Sequence, residues 1–390
     1  MPWRRSSALV ALCRCLRPEL DAAERSAAAR DVQADIGALA VLAEEHNLAA
    51  ALWAALVRHG LIAPVPSSVR AVFDSGGLRS TRAAPTALWL EDNYRENTAR
   101  NTALQVQLAE IVAALNRVDV APVLLKGARW LQTGDDVGVR SMVDIDLLVP
   151  PSAASRANDA LVAAGYLNAD YPLRDTARRN THLVPLHRPD VPASVELHVE
   201  LGDWPTPEML PASVALDESS PCPLAGDGSL TVRALSATHH VLHTILHSEI
   251  HHRAHAGGRV SLRSLHDLAR ARATTDPDVD WVRIRDAFAR RVHVLDAFAF
   301  QLKALFGLPM PAGIARTRRA RSHLRRCLIT EGLPSPIAGA VEQLAVFPGT
   351  MDARRISYLY EVDGFAAVNA ARVRHLYRMS RLTVTRAGRA

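Results

Sequence analysis

The chain has 390 residues, a net charge of +6, 48% hydrophobic and 22% charged residues. That length allows two or three domains with substantial cores, and the composition is that of an ordinary soluble globular protein. Charges break every apolar run well before the roughly 20 residues of a membrane span, and the modest positive balance permits an anionic substrate without demanding nucleic acid.

Met1 to Leu12 resembles a signal peptide only briefly, because Arg14 and Arg17 interrupt it and no small-residue cleavage site follows. It reads as a first helix. Amphipathic helices are then expected over about Val32–Glu45, Leu48–His59 and Ala87–Asn116, with breaks at Pro64, Pro66 and Gly76-Gly77. The pattern changes at Val120–Leu125, a short apolar run that predicts a strand turning at Lys126-Gly127 into a helix. Gly134 and Gly138 mark a loop. A buried strand follows through Asp144, Ile145, Asp146, Leu147, Leu148 and Val149, stopped by Pro150-Pro151. Residues 152–164 predict a capped helix ended by Gly165. Alternation at His182–Leu186 and Ser194–Leu201 predicts two more strands. Residues 202–230 read as a connecting segment, and Ser229–Val232 as a last strand. From Ser236, an expected N-cap, the chain reads as helical to its end. The fold class is therefore α+β: a small mixed sheet with flanking N- and C-terminal helical regions, divided as 1–118, 119–232 and 233–390. The four cysteines show no metal spacing and fit a reducing, cytoplasmic compartment.

Asp144 and Asp146 carry the chemistry. Side chains alternate along a strand, so the two carboxylates share one face. Two like charges on a buried strand need something positive between them, and a divalent metal, Mg²⁺ or Mn²⁺, supplies it. Glu196, on a strand of alternating pattern, is the candidate third carboxylate, with Glu200 on the same face as its competitor. A turn glycine at Gly127 lets phosphate approach the backbone, and the helix after it favours an anion. Lys126 and Lys303 are the only lysines. Lysine is a compact charge suited to a phosphate oxygen, which arginine does not replace in every geometry.

This region resembles the polymerase-β-type nucleotidyltransferase superfamily, and within it a branch of uncharacterised bacterial nucleotidyltransferases. The resemblance rests on Leu125-Lys126-Gly127-Ala128, on Arg140 four residues before Asp144-Ile145-Asp146-Leu147-Leu148-Val149, on Glu196-Leu197-His198, on Leu235-Ser236 opening a histidine-rich helix, and on Asp267-Leu268-Ala269. It spans roughly residues 40 to 275. The superfamily commonly has Gly-Ser at the turn; here Ala128 follows Gly127, and the gap from Gly127 to Asp144 is longer than usual. The resemblance implies that Asp144, Asp146 and Glu196 bind metal and are catalytic, and that Lys126, Gly127 and Arg140 hold the nucleotide. It implies transfer of a nucleoside monophosphate, from ATP or another NTP, to the hydroxyl of a small-molecule, peptide or protein acceptor. Without an aromatic-basic stripe a nucleic-acid acceptor is not favoured, and no membrane partner is expected. A catalytically silent nucleotide-binding module is an alternative.

His239, His243, His247, His251 and His255 recur every four residues, a spacing that brings successive pairs together on a helix. A histidine-rich metal-binding helix, or a metal-dependent hydrolase, is the competing reading. No His-Glu-x-x-His accompanies it.

Overall fold

The computed structural model describes residues 2–64, 84–133, 136–169 and 181–387. The expected breaks at Pro66 and Gly76-Gly77, and Gly134 of the expected loop, lie outside the described residues.

The N-terminal segment is helical, as expected: α1 (Pro2–Cys15), α2 (Ala22–Glu45), α3 (Ala49–Arg58) and the long α4 (Ala84–Asn116). Helix α2 begins ten residues before its expected start. Asp21 and Glu24 form a capping box there, and the chain kinks at Asp35 inside the helix.

A mixed seven-stranded sheet follows, in the order β3-β4-β5-β2-β1-β7-β6. Its strands are β1 (Val123–Leu124), β2 (Asp144–Leu148), β3 (Leu167–Asn168), β4 (Leu186–His187), β5 (Ser194–His198), β6 (Ser220–Leu224) and β7 (Asp227–Ala234). Central β2 runs parallel to β5 and antiparallel to β1. Helix α5 (Lys126–Gln132) follows β1, and α6 (Ala154–Ala163) follows β2. The expected cap of α6 is replaced by a 3₁₀ turn begun by Pro151, and no side chain caps the helix. Gly165, at φ +91°, ends it in a left-handed conformation.

Three expectations need correction. The run at His182–Leu186 is not a strand along its length; it pairs only at Leu186–His187 and through one bridge from His182 to His198. Strand β5 stops at His198 rather than Leu201, because the Glu200 amide turns to the Thr181 carbonyl. Residues 202–230 are not simply a connection; they contain α7 (Thr206–Met209), α8 (Ala212–Asp217) and β6. Pro221 and Pro223 hid β6. Proline removes a ladder hydrogen bond and is tolerated only on an edge strand, and β6 is the sheet's edge.

The chain is helical from Ser236, whose side chain accepts from the His239 amide. The helices are α9 (Ala237–Ile245), α10 (Ala254–Gly257), α11 (Leu262–Arg270), α12 (Trp281–Ala287), α13 (Val292–Phe306), α14 (Arg318–Glu331), α15 (Ser335–Thr350), α16 (Ala353–Tyr360) and α17 (Phe365–Ala387). Between α9 and α10, residues Leu246–His251 form a π-helix.

One apolar core joins the flanks: Leu12 and Leu16 of α1, Leu52 and Leu56 of α3, Leu242 of α9, and Leu295, Phe298 and Leu302 of α13 pack together. A second core lies between the C-terminal half of α4 and the sheet, with Leu108, Ile111 and Leu115 against Ile145, Leu147, Val195 and Leu197. The sheet therefore buries its odd-numbered β2 and β5 residues under α4 and turns the alternate ones to its other face.

Candidate active site

Strand register builds the site. Parallel pairing sets Asp144 opposite Ser194, Asp146 opposite Glu196 and Leu148 opposite His198. With a period of two, Asp144, Asp146, Glu196 and His198 share the face away from α4. Glu200 lies beyond the end of β5, so the strand aligns Glu196 with Asp146 and not Glu200.

Asp146 is 1% exposed. Its Oδ1 accepts from Lys126 Nζ at 2.8 Å and lies 2.8 Å from His198 Nε2. The same His198 nitrogen lies 3.4 Å from Glu196 Oε2. Carboxylates only accept, so Nε2 carries the hydrogen. Asp146 Oδ2 is buried without a hydrogen-bond partner. A buried oxygen with free lone pairs is costly unless a cation or donor meets it.

The charges fit this network. Burial opposes ionisation of Asp146, yet the His198 hydrogen bond and the Lys126 charge hold its carboxyl well below the usual range. The His198 hydrogen bond also lowers Glu196, against its burial. Burial disfavours the His198 imidazolium, but hydrogen bonds to Asp146 and Glu196 raise its pKa. Asp144 is half-buried, and burial and then the neighbouring Asp146 charge raise its pKa. The two neighbouring carboxylates are thus pushed in opposite directions, a pattern that clusters at functional sites.

Among the described residues, Asp146, Glu196 and His198 form the group of metal-ligating side chains whose ligand atoms converge within 4.8 Å. Asp144 is on the same face but outside that group. Sequence reasoning had not given His198 a role. The signal was present: Glu196 and His198 are two apart on one strand, so they must share a face.

Lys126 occupies the first position of α5 with φ +42°, a left-handed conformation unusual for a side-chain-bearing residue. Such strain gathers at functional sites. Gly127 follows for a steric reason: a Cβ there would lie 2.7 Å from Met142 Cε and 2.8 Å from Arg140 Nη1. One end of the Arg140 guanidinium therefore lies against the turn at Gly127, and its Nε donates to Asp267 at 3.0 Å. Three α4 side chains hold the loop that carries it. Asn97, Arg100 and Asn101, spaced to share a helix face, donate to the carbonyls of Gly138 (2.6 Å), Met142 (3.0 Å), and Val137 and Arg140 (2.6 and 2.7 Å).

These residues open on a cavity of about 770 Å³. Its floor carries Lys126, Asp144, Asp146, Glu196 and His198, and a wall is added by α9, the π-helix and α11. Arg263 of α11 lies there unforeseen from sequence. Its Nη2 donates to the Ser141 carbonyl at 2.7 Å, and burial, with Arg140 nearby, brings its guanidinium down to about 10.

A protein-family model described as "Uncharacterised nucleotidyltransferase" matches residues 33–305. The chain belongs to this family. The match covers the sheet, the carboxylate face, the histidine-rich segment and helices through most of α13. A search of curated proteins and a search of solved structures each return no match. No described helix is long and apolar enough to cross a membrane.

Proposed function

We propose that the protein is a metal-dependent nucleotidyltransferase that moves a nucleoside monophosphate from an NTP, with ATP the first to test, to an acceptor hydroxyl. The observation that carries this is the buried, unpartnered Oδ2 of Asp146, aligned with Glu196 on a face that also bears Asp144. Family membership supports the same reaction class.

The donor set fits a hard divalent cation. Asp144, Asp146 and Glu196 would hold Mg²⁺ or Mn²⁺, which polarises phosphoryl oxygens when bound. His198 orients rather than coordinates, since its Nε2 hydrogen is directed at Asp146 and fixes which carboxylate oxygen stays open. Lys126 Nζ and the guanidinium of Arg140 neutralise the triphosphate, and Gly127 makes room for the Arg140 side chain against the turn. The acceptor hydroxyl oxygen attacks the α-phosphorus, the bond to the bridging β-phosphate oxygen breaks, and pyrophosphate leaves. The acceptor proton passes to the Glu196 carboxylate. Positioning and electrostatics supply most of the rate in such a site.

In this reading residues 119–232 carry the chemistry, and the flanks 1–118 and 233–390 complete the cavity. The four unpaired thiols support a cytoplasmic setting. The histidine-helix metal site is not favoured, because its imidazoles form no convergent three-ligand group among the described residues.

Purified protein incubated with each labelled NTP, Mg²⁺ and candidate acceptors tests the reading. Expected is NTP-dependent pyrophosphate release that drops by about 10²–10³-fold or more in Asp146→Asn. Equal release by Asp146→Asn and wild type would sink it.

A further inference from the structure

Among the described residues, four lysine or arginine side chains line the cavity: Lys126, Arg140, Arg259 and Arg263. Three of them face a carboxylate. Lys126 meets Asp146 at 2.8 Å, Arg140 meets Asp267 at 3.0 Å and Arg259 meets Glu342 at 3.1 Å. For Arg263, no carboxylate among the described residues lies within ion-pair distance, and its one hydrogen bond runs from Nη2 to the Ser141 carbonyl at 2.7 Å. Glu45 and Glu331 also line the cavity, but Glu45 pairs with Arg5, and Glu331 lies 4.0 Å from His46. A partly buried guanidinium without a counter-charge is costly until an anion arrives.

Arg263 is fixed at one end of the carboxylate face. Arg263 and Asp267 lie four apart on α11, so they share a helix face. Together they grip Ser141 and Arg140, just before β2. Ser141 precedes Asp144 by three residues, a length of chain that spans at most about 11 Å. Asp144 feels the Arg263 charge, which opposes the upward shift of its carboxyl. Strand register puts the Asp146–Glu196 pair one step further along the face, and His198 beyond it. In-line displacement sets the leaving oxygen opposite the attacking one. With Glu196 receiving the acceptor proton, attack comes from its end of the face. The pyrophosphate then departs towards the Asp144 end, where Arg263 stands.

We propose that Arg263 binds the β- and γ-phosphates of the NTP and makes the site prefer a triphosphate over a monophosphate. The inference rests on the nucleotidyl-transfer reading. A guanidinium is a planar fork that matches two phosphate oxygens at once. Asp144 and Asp146 act on Arg263 only through space, and their charge is taken up when a divalent cation binds that face. Arg140 is close enough for the two like charges to disfavour each other, so a polyphosphate shared by them relieves both.

The test is calorimetric titration of the full chain, in Mg²⁺, with α,β-methylene ATP, pyrophosphate and AMP. Wild type is expected to bind the ATP analogue more tightly than AMP. Arg263→Gln keeps an amide donor for Ser141 and removes the charge. It is expected to weaken the analogue and pyrophosphate by about tenfold or more, and AMP by less than about twofold. Arg263→Lys keeps the charge, loses the fork and should fall between the two proteins. Where Arg263→Gln does not match the wild-type circular dichroism, Arg263→Lys decides, with a loss of about threefold or more expected for the analogue. Arg259→Gln, in the same cavity but paired with Glu342, should change all three ligands by less than about twofold. Unchanged analogue and pyrophosphate affinity overturns the proposal, as does wild-type binding of AMP as tight as that of the analogue. An equal loss of AMP also overturns it, marking Arg263 as a brace for the Ser141 loop. So does an equal loss in Arg259→Gln, which would assign the effect to the overall charge of the cavity. The transfer reading fails separately: pyrophosphate binding that needs Arg263, in a protein whose pyrophosphate release from NTP ignores Asp146→Asn, keeps the anion site and loses the reaction.

Discussion

Gly127 carries no side chain because Met142 and Arg140 fill the space a Cβ would occupy. Gly127→Ala is expected to push the ends of the Met142 and Arg140 side chains away from the turn, cost only about 1 kcal/mol because both ends can swing aside, and raise the KM for NTP several-fold; steady-state kinetics with a melting curve check both. Asp146 depends on two hydrogen-bond partners. Removing one leaves buried charge short of compensation, so Lys126→Met is expected to lower both stability and pyrophosphate release. The carboxylates were legible because a period of two needs no knowledge of the fold. Gly127 was legible as a turn residue, but its real constraint was not, since Arg140 reaches it from 13 residues away through tertiary packing. Arg140 was expected to hold the nucleotide, with no protein partner named. It pairs with Asp267, a partner 127 residues away that local spacing could not name. His198 belongs to the Glu-Leu-His match, and only its strand position gives it work to do.

Helix α4 acts as the site's outer brace, gripping the loop of Arg140 and Met142 through Asn97, Arg100 and Asn101. Asn101→Leu strands two carbonyls and is expected to cost about 1–3 kcal/mol, with a weaker affinity for MgATP; calorimetric titration reads the second effect, and unchanged affinity would separate the brace from the site. The N-cap of α9 is a purely local device, so Ser236→Ala should cost about 1 kcal/mol and leave nucleotide affinity unchanged. Elements with a local signature were readable: that N-cap, the helices of the N-terminal segment and the β2 strand. Edge strand β6 was not, because its prolines resemble a loop until the sheet order shows that it is an edge. The π-helix was not either. A four-residue histidine period fits an α-helix equally well, and the extra residue per turn appears only in the His252-to-His247 hydrogen bond.

Across the whole molecule, the N- and C-terminal helices share one core although the sheet lies between them in sequence. We propose that the three chain segments fold as an interdependent unit, so a fragment limited to 119–232 should lack the cooperative melting of the full chain. Helix α11, from the C-terminal segment, brings Arg263 and Asp267 to residues of the sheet segment. Stability should also depend on acid. His266, His323 and His375 are each brought to about 4, burial being the largest cause. Their unfolded-state values lie near 6.5. Between those values the unfolded chain binds protons that the native state refuses, so their contribution is complete above about pH 6.5 and is lost as pH falls towards 4. Melting temperature is therefore expected to drop by several degrees or more from pH 7 to pH 5; a flat profile would contradict the buried, neutral assignment. The central claim is that the carboxylate face holds a divalent cation for phosphoryl transfer, and Mn²⁺ binding followed by electron paramagnetic resonance in the presence of ATP tests it without knowledge of the acceptor. The expected result is saturable Mn²⁺ binding by wild type that is lost in the Asp144→Asn, Asp146→Asn double variant; identical binding by the two proteins would contradict it.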